Sequence, residues 1–392
     1  MAANGVRASA STSRIAPNLR AGLPRALLTR EAALGSWWLK DDEKAVAERV
    51  VAYRDVMLAN EIYPLHVMWE SGVWESLGGM LRDAFTDVDE RAGSVADWMH
   101  KLRDGLFEAK DRSLELTWAA PGGALWREMK ENARLASEHS DQRGGMHIIA
   151  KYAARALEPL SEAERKRWEM HVVGHSAGSI FAACALPHLV GLGASFKSLQ
   201  FMAPAITIAD FKRLVLRFVK DGSCPLPTLY MLSDAGELDD DVGPYGKSLL
   251  YLVSNAFEKQ RGEPLLGMAR FLCGDAEGSK QVVDKPLQKL FAQRVDGRAA
   301  LVIAGASQGV GSCSESNSHG GFDNDVETMN SVLQRILNGA PKRRFSLRDL
   351  QFEGHGGSAR EGAGLRLSAK SIASLRGTPA NTQQPGRPIR IA

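Results

Sequence analysis

Met170-His171-Val172-Val173-Gly174-His175-Ser176-Ala177-Gly178-Ser179-Ile180-Phe181-Ala182-Ala183-Cys184-Ala185-Leu186 is the stretch that decides the fold. Its first four residues read as a short apolar strand, and the run from Ala177 to Val190 reads as an apolar helix. Between them the chain must turn within a residue or two, which forces Ser176 into a strained conformation. The residues two positions to either side must be small, because strand and helix nearly touch there, and Gly174 and Gly178 meet that need. G-x-S-x-G in a strand–turn–helix context projects a serine oxygen above the edge of a sheet. The helix start behind it offers free N–H groups and a positive dipole end, so the Ala177 N–H is a candidate donor to an oxygen gaining negative charge.

Outward from this stretch, helix and strand alternate. Asp41, Asp42 and Glu43 suit the first turn of a helix whose Val46, Val50, Tyr53 and Met57 share one face, ending near Asn60. Strands are expected at Ile62 to Trp69, Phe196 to Met202, Thr228 to Ser233 and Ala299 to Ala304. A last helix runs from about Asp323 to Leu337, with Met329, Val332, Leu333 and Ile336 inward, and Gly339-Ala340-Pro341 stops it. This alternation predicts an α/β fold, with a doubly wound, mostly parallel sheet covered on both faces.

Two stretches break the alternation. Residues 72–145 read as a mainly helical, cap-like insertion with Trp74, Trp98, Trp118 and Trp126, and residues 243–295 also look helical. The tryptophans suit either ordinary core packing or an apolar lining for an acyl or aromatic group. The expected domain plan is a poorly structured arm over 1–40, one domain over 41–340 and a disordered tail over 341–392.

Composition narrows the function classes. The 392 residues carry 49 Lys and Arg against 46 Asp and Glu, a net charge of +3. Ten of the basic residues and only three acids follow Pro341, so the body of the chain is mildly acidic and nucleic-acid binding by it is not suggested. Cys184, Cys224, Cys273 and Cys313 lie far apart without metal-ligand spacing, which fits reduced thiols in a cytoplasmic protein. No apolar run is long enough for a transmembrane segment. The first thirty residues hold five Arg, many Ser and Ala and no acid, a composition that organellar transit peptides share with disordered leaders.

A serine is a poor nucleophile without a base, and the base needs an orienting acid. Only two of the nine histidines follow Leu192, and His355 falls in the basic tail. His319, in the polar loop Ser316-Asn317-Ser318-His319-Gly320-Gly321 between the last strand and the last helix, is therefore the expected base. The acid is expected just past the strand TLYMLS. Asp234 is nearest the strand end and comes first, with Asp239 or Asp240 as alternatives if the loop extends before turning back.

With GHSAG, the acids after TLYMLS and the SHGG loop in the order Ser, acid, His, the chain from about Asp41 to Leu337 resembles the α/β-hydrolase fold serine hydrolases of the esterase and lipase kind. The resemblance implies attack of Ser176 on an ester carbonyl, an acyl-enzyme, and its hydrolysis by water that His319 activates. It implies a small-molecule ester substrate with an apolar acyl or aromatic group, and no metal or organic cofactor. The same serine also serves acyltransferases and thioesterases.

The family places a second oxyanion donor in a small-residue turn between an early strand and a helix. If IYPLHVMW is the strand after that helix, the turn falls near residues 33–40, where Gly35 and Ser36 are the candidates and no good strand precedes them. Ser71 or Gly72, after the Trp69 strand, is an alternative. A degenerate turn would make a catalytically weak or inactive binding module, since losing one such donor costs about 10²–10³ in rate.

Overall fold

The alternation of apolar strand runs and helical faces is realised as a six-stranded, wholly parallel sheet in a computed structural model of the chain. The structure describes residues 31–38, 43–68, 103–138, 144–165, 168–191, 195–242, 245–274 and 283–350. Its strands are β1 (Glu31–Trp38), β2 (Ile62–Met68), β3 (Trp168–His175), β4 (Phe196–Met202), β5 (Thr228–Met231) and β6 (Leu301–Ile303). Their spatial order is β2-β1-β3-β4-β5-β6.

That order has a physical consequence. From β1 the chain passes through α1 (Glu43–Ala59) to β2 on one side, then returns to β3 on the other. Succession along the chain therefore reverses direction between β1 and β3, the kind of switch point at which such sheets usually place ligands, beyond the carboxyl ends of the strands. Trp37 is registered opposite Gly174, so the turn that follows β3 sits at this switch point.

Helices flank the sheet. The long α2 (Arg103–Glu138) contains Pro121, Gly122 and Gly123, and a Cβ at Gly122 would lie 2.2 Å from the Phe257 ring, so only glycine permits that approach. The amphipathic α3 (Gly145–Leu157) follows it. Trp126 is fully buried and donates its indole N–H to Glu258 at 2.7 Å, and Trp118 is buried as well. Both belong to the buried core, as ordinary packing requires. Trp74, Trp98 and most of the rest of the expected insertion lie outside the described residues.

Around the carboxyl edge the order is α4 (Gly178–Gly191), α5 (Ile208–Leu214), α6 (Asp234–Asp239), α7 (Leu249–Leu252) and α8 (Val326–Leu337). Helix α8 starts where the Asp325 side chain accepts the Thr328 N–H and ends at Asn338 in the left-handed region. Met329, Val332, Leu333 and Ile336 are buried, as the helical period predicts.

Two expected boundaries move. The segment assigned to the unstructured arm contains β1, which no local pattern announces because it holds no β-branched residue; pairing on both sides supplies what propensity lacks. At the other end the described chain continues past Pro341. Phe345 and Leu350 are buried, Asn330 exchanges two 2.9 Å hydrogen bonds with the Phe345 main chain, and Asn60 donates to the Arg343 carbonyl at 2.7 Å. Residues 341–350 are thus packed against α1 and α8, and the remainder of the basic tail lies outside the described residues. Among the described residues no helix is long and apolar enough to cross a membrane.

Candidate active site

Ser176 follows β3 directly and has a φ of 52°, a left-handed conformation that costs a non-glycine residue energy. The backbone is over-determined there. The Ser176 N–H donates to the Met202 carbonyl at 2.9 Å, and its own carbonyl accepts from the Ala205 N–H at 3.1 Å. The Ser179 hydroxyl also donates to that carbonyl at 2.6 Å and accepts the Ile206 N–H at 3.2 Å. The turn at Ser176 is therefore pinned to the loop after β4. A Cβ on Gly174 would meet the Gly178 carbonyl group at 3.0 Å, the close approach that the spacing of the two glycines implies.

His319 reaches this turn from the loop before α8. Its Nε2 lies 2.9 Å from Ser176 Oγ, and both side chains are buried. For Nε2 to accept the serine proton, the ring hydrogen must sit on Nδ1. Residues 143 apart in sequence thus come into contact, in the order along the chain that the sequence suggests.

The acids separate by contact. Asp234 stands in the first turn of α6, because Ser233 caps that helix immediately after β5 by accepting the Gly236 N–H at 3.1 Å. Its carboxylate accepts from the Tyr251 hydroxyl at 2.7 Å and lies 3.7 Å from Arg270 Nε. That occupies it away from His319, which corrects the expectation that nearness to the strand end selects the acid. Asp239 is exposed. Asp240, where α6 ends, is the candidate that touches His319: its Oδ2 accepts the His319 main-chain N–H at 2.8 Å.

Beneath the pair lies a layer that sequence reading does not single out. His175 Nε2 is 2.8 Å from the His319 carbonyl, and His175 Nδ1 is 3.7 Å from Asp323 Oδ2. Asp323 is fully buried and paired with Arg49 of α1, and Tyr53 donates to its main-chain carbonyl. The one available signal was that His175 fills the variable position before the serine. Nearby, Glu237 of α6 is fully buried, and desolvation, with the Asp240 and Asp234 charges adding to it, pushes its carboxyl up to about 8.

The oxyanion candidates fare differently. Among the described residues the Ala177 N–H has no hydrogen-bond partner, and it sits at the start of α4 beside Ser176. Gly35 and Ser36 are inside β1, registered opposite Val172 and Val173, and so are strand residues and not the expected turn. The connection between β1 and α1, residues 39–42, and the alternative Gly72 lie outside the described residues.

A cavity of about 610 Å³ opens next to the His319 loop, lined by Ser233, Gly236, Asp239, Ser314, Ser316 and Asn317 among others. Neither Ser176 nor His319 lines it, so it is not the space in front of the serine. No group of three or more His, Cys, Asp or Glu residues among those described is arranged to hold a metal ion. The chain matches no family model, no curated protein and no solved structure.

Proposed function

We propose that the chain is a serine hydrolase of the α/β-hydrolase fold that cleaves carboxylic esters. The observation that carries this reading is the 2.9 Å contact between Ser176 Oγ and His319 Nε2 at the sheet's switch point, on a serine held at φ 52°. In this reading His319 takes the hydroxyl proton as Ser176 attacks the ester carbonyl, and the Ala177 N–H stabilises the resulting oxyanion. The protonated imidazole then gives its proton to the leaving alcohol. Water attacks the acyl-enzyme with the same imidazole as base.

Asp240 takes the part of the orienting acid in place of Asp234. Its contact with the His319 backbone and its place at the end of α6 support that choice.

The test is labelling with a fluorophosphonate probe, together with hydrolysis of p-nitrophenyl esters of graded acyl length. Labelling and acid release that both disappear in Ser176→Ala support the hydrolase. A folded chain that the probe does not label overturns it in favour of a binding module. Acyl transfer to added alcohols that outruns hydrolysis would move the reading to an acyltransferase.

A further inference from the structure

The His319 backbone is gripped from two sides. Asp240 accepts its N–H at 2.8 Å, and His175 Nε2 lies 2.8 Å from its carbonyl oxygen. A carbonyl only accepts, so Nε2 of His175 carries a hydrogen and donates it. The ring cannot drift. It is 4% exposed, its Nδ1 faces Asp323, and the Phe322 ring stands edge-on at 6.4 Å. Asp323 is in turn fixed to α1 by its ion pair with Arg49 and by the Tyr53 hydroxyl on its carbonyl.

These contacts close a small ring. His175 is bonded in the chain to Ser176, its side chain holds the His319 carbonyl, and the His319 side chain returns to Ser176 Oγ. The spacing between hydroxyl and imidazole is thus set inside one short cycle, without relying on the long path through 143 residues. A buried ion pair such as Arg49–Asp323 adds little net stability over an apolar replacement, so stability alone does not account for placing one under this loop.

Building on the hydrolase reading, we infer that His175 is a positioning residue that fixes the His319 imidazole over Ser176 by holding the His319 carbonyl, with Asp323 and Arg49 keeping His175 in place.

The experiment compares His175→Phe, which keeps a ring and removes the donor, with His175→Gln, which keeps an N–H donor. Both are made in the full chain. The rate of Ser176 labelling by a fluorophosphonate and kcat and KM for p-nitrophenyl butyrate are measured beside thermal unfolding. Misplacing a catalytic group by an ångström costs about 10²-fold. His175→Phe should therefore lose about 10- to 100-fold in labelling rate and kcat with KM within about twofold, and His175→Gln should return to within about threefold of the parent. A Phe variant as fast as the parent, or a Gln variant as slow as Phe, overturns the inference while leaving the hydrolase reading intact. Should Phe fail to fold, His175→Leu is judged by the same rates. A parent chain that shows no Ser176-dependent labelling fails the hydrolase reading first, and this inference falls with it.

Discussion

Asp240 and Asp234 sit at opposite ends of one six-residue helix, and only Asp240 bonds to His319. Its Oδ2 takes the His319 N–H at 2.8 Å, whereas Asp234 is engaged by Tyr251. Replacing each by asparagine separates their roles. Asp240→Asn should lower kcat by about 10²- to 10⁴-fold, the range expected for an orienting acid. Asp234→Asn should leave kcat within about fivefold while lowering the melting temperature, because it weakens a buried bond to Tyr251. Steady-state kinetics and calorimetry on the two variants decide between them.

The Gly174–Gly178 approach leaves no room for a methyl group, since a Cβ would stand 3.0 Å from backbone carbon and oxygen. Gly174→Ala should destabilise the chain by about 1–3 kcal/mol, the usual range for overpacking. Urea unfolding measures it. An unchanged midpoint would mean that β3 and α4 can part without cost.

Glu237 gives a signature on the alkaline side. Its ordinary value is 4.5, and desolvation raises it to about 8. Below pH 4.5 folded and unfolded chains both hold the proton. As pH rises from 4.5 to 8 the unfolded chain loses it and the folded chain keeps it, so stability falls across that window and levels off above it. Glu237→Gln removes this slope. The melting temperature of the variant relative to the parent should therefore climb between pH 5 and pH 8.5, as read by calorimetry.

His171, inside β3, gives the opposite signature. Desolvation, with the charge of Lys197 adding to it, lowers its pKa from 6.5 to about 4, and its Nδ1 lies 2.8 Å from Ser198 Oγ. Between pH 6.5 and 4 the unfolded chain binds a proton that the folded chain refuses. This contribution is present above pH 6.5 and is lost as pH falls to 4. His171→Gln should flatten that part of the acid limb, and melting curves at half-unit steps from pH 4 to pH 7 will show whether it does.

The sheet was legible in the sequence where apolar runs end at glycine or proline, as at Gly174, Pro204 and Gly305. Ser176 and His319 were legible for a related reason, since a strained turn demands its glycines and chain order leaves few histidines. Which acid lies against His319 was not legible. Five acids crowd residues 234–241, and what sorts them is the Ser233 cap, which starts a helix at once and carries Asp240 to the far end. The layer formed by His175, Asp323 and Arg49 was equally hidden, because its members come from three distant segments and carry no shared period. Strand β1 was missed because its pairing partners, more than its composition, make it a strand.

The docking of Phe345 and Arg343 onto α1 has a bearing on synthesis. The ring of Phe345 rests edge-on against Tyr53 at 5.4 Å, and Asn60 binds the chain at Lys342 and Arg343. Contacts of such long sequence separation form late in folding. In a nascent chain leaving the ribosome, one flank of α1 stays bare until nearly three hundred further residues have emerged. Tyr53 and Arg49 also touch the loop after His319, so residues 341–350 dock on the same helix that holds this loop.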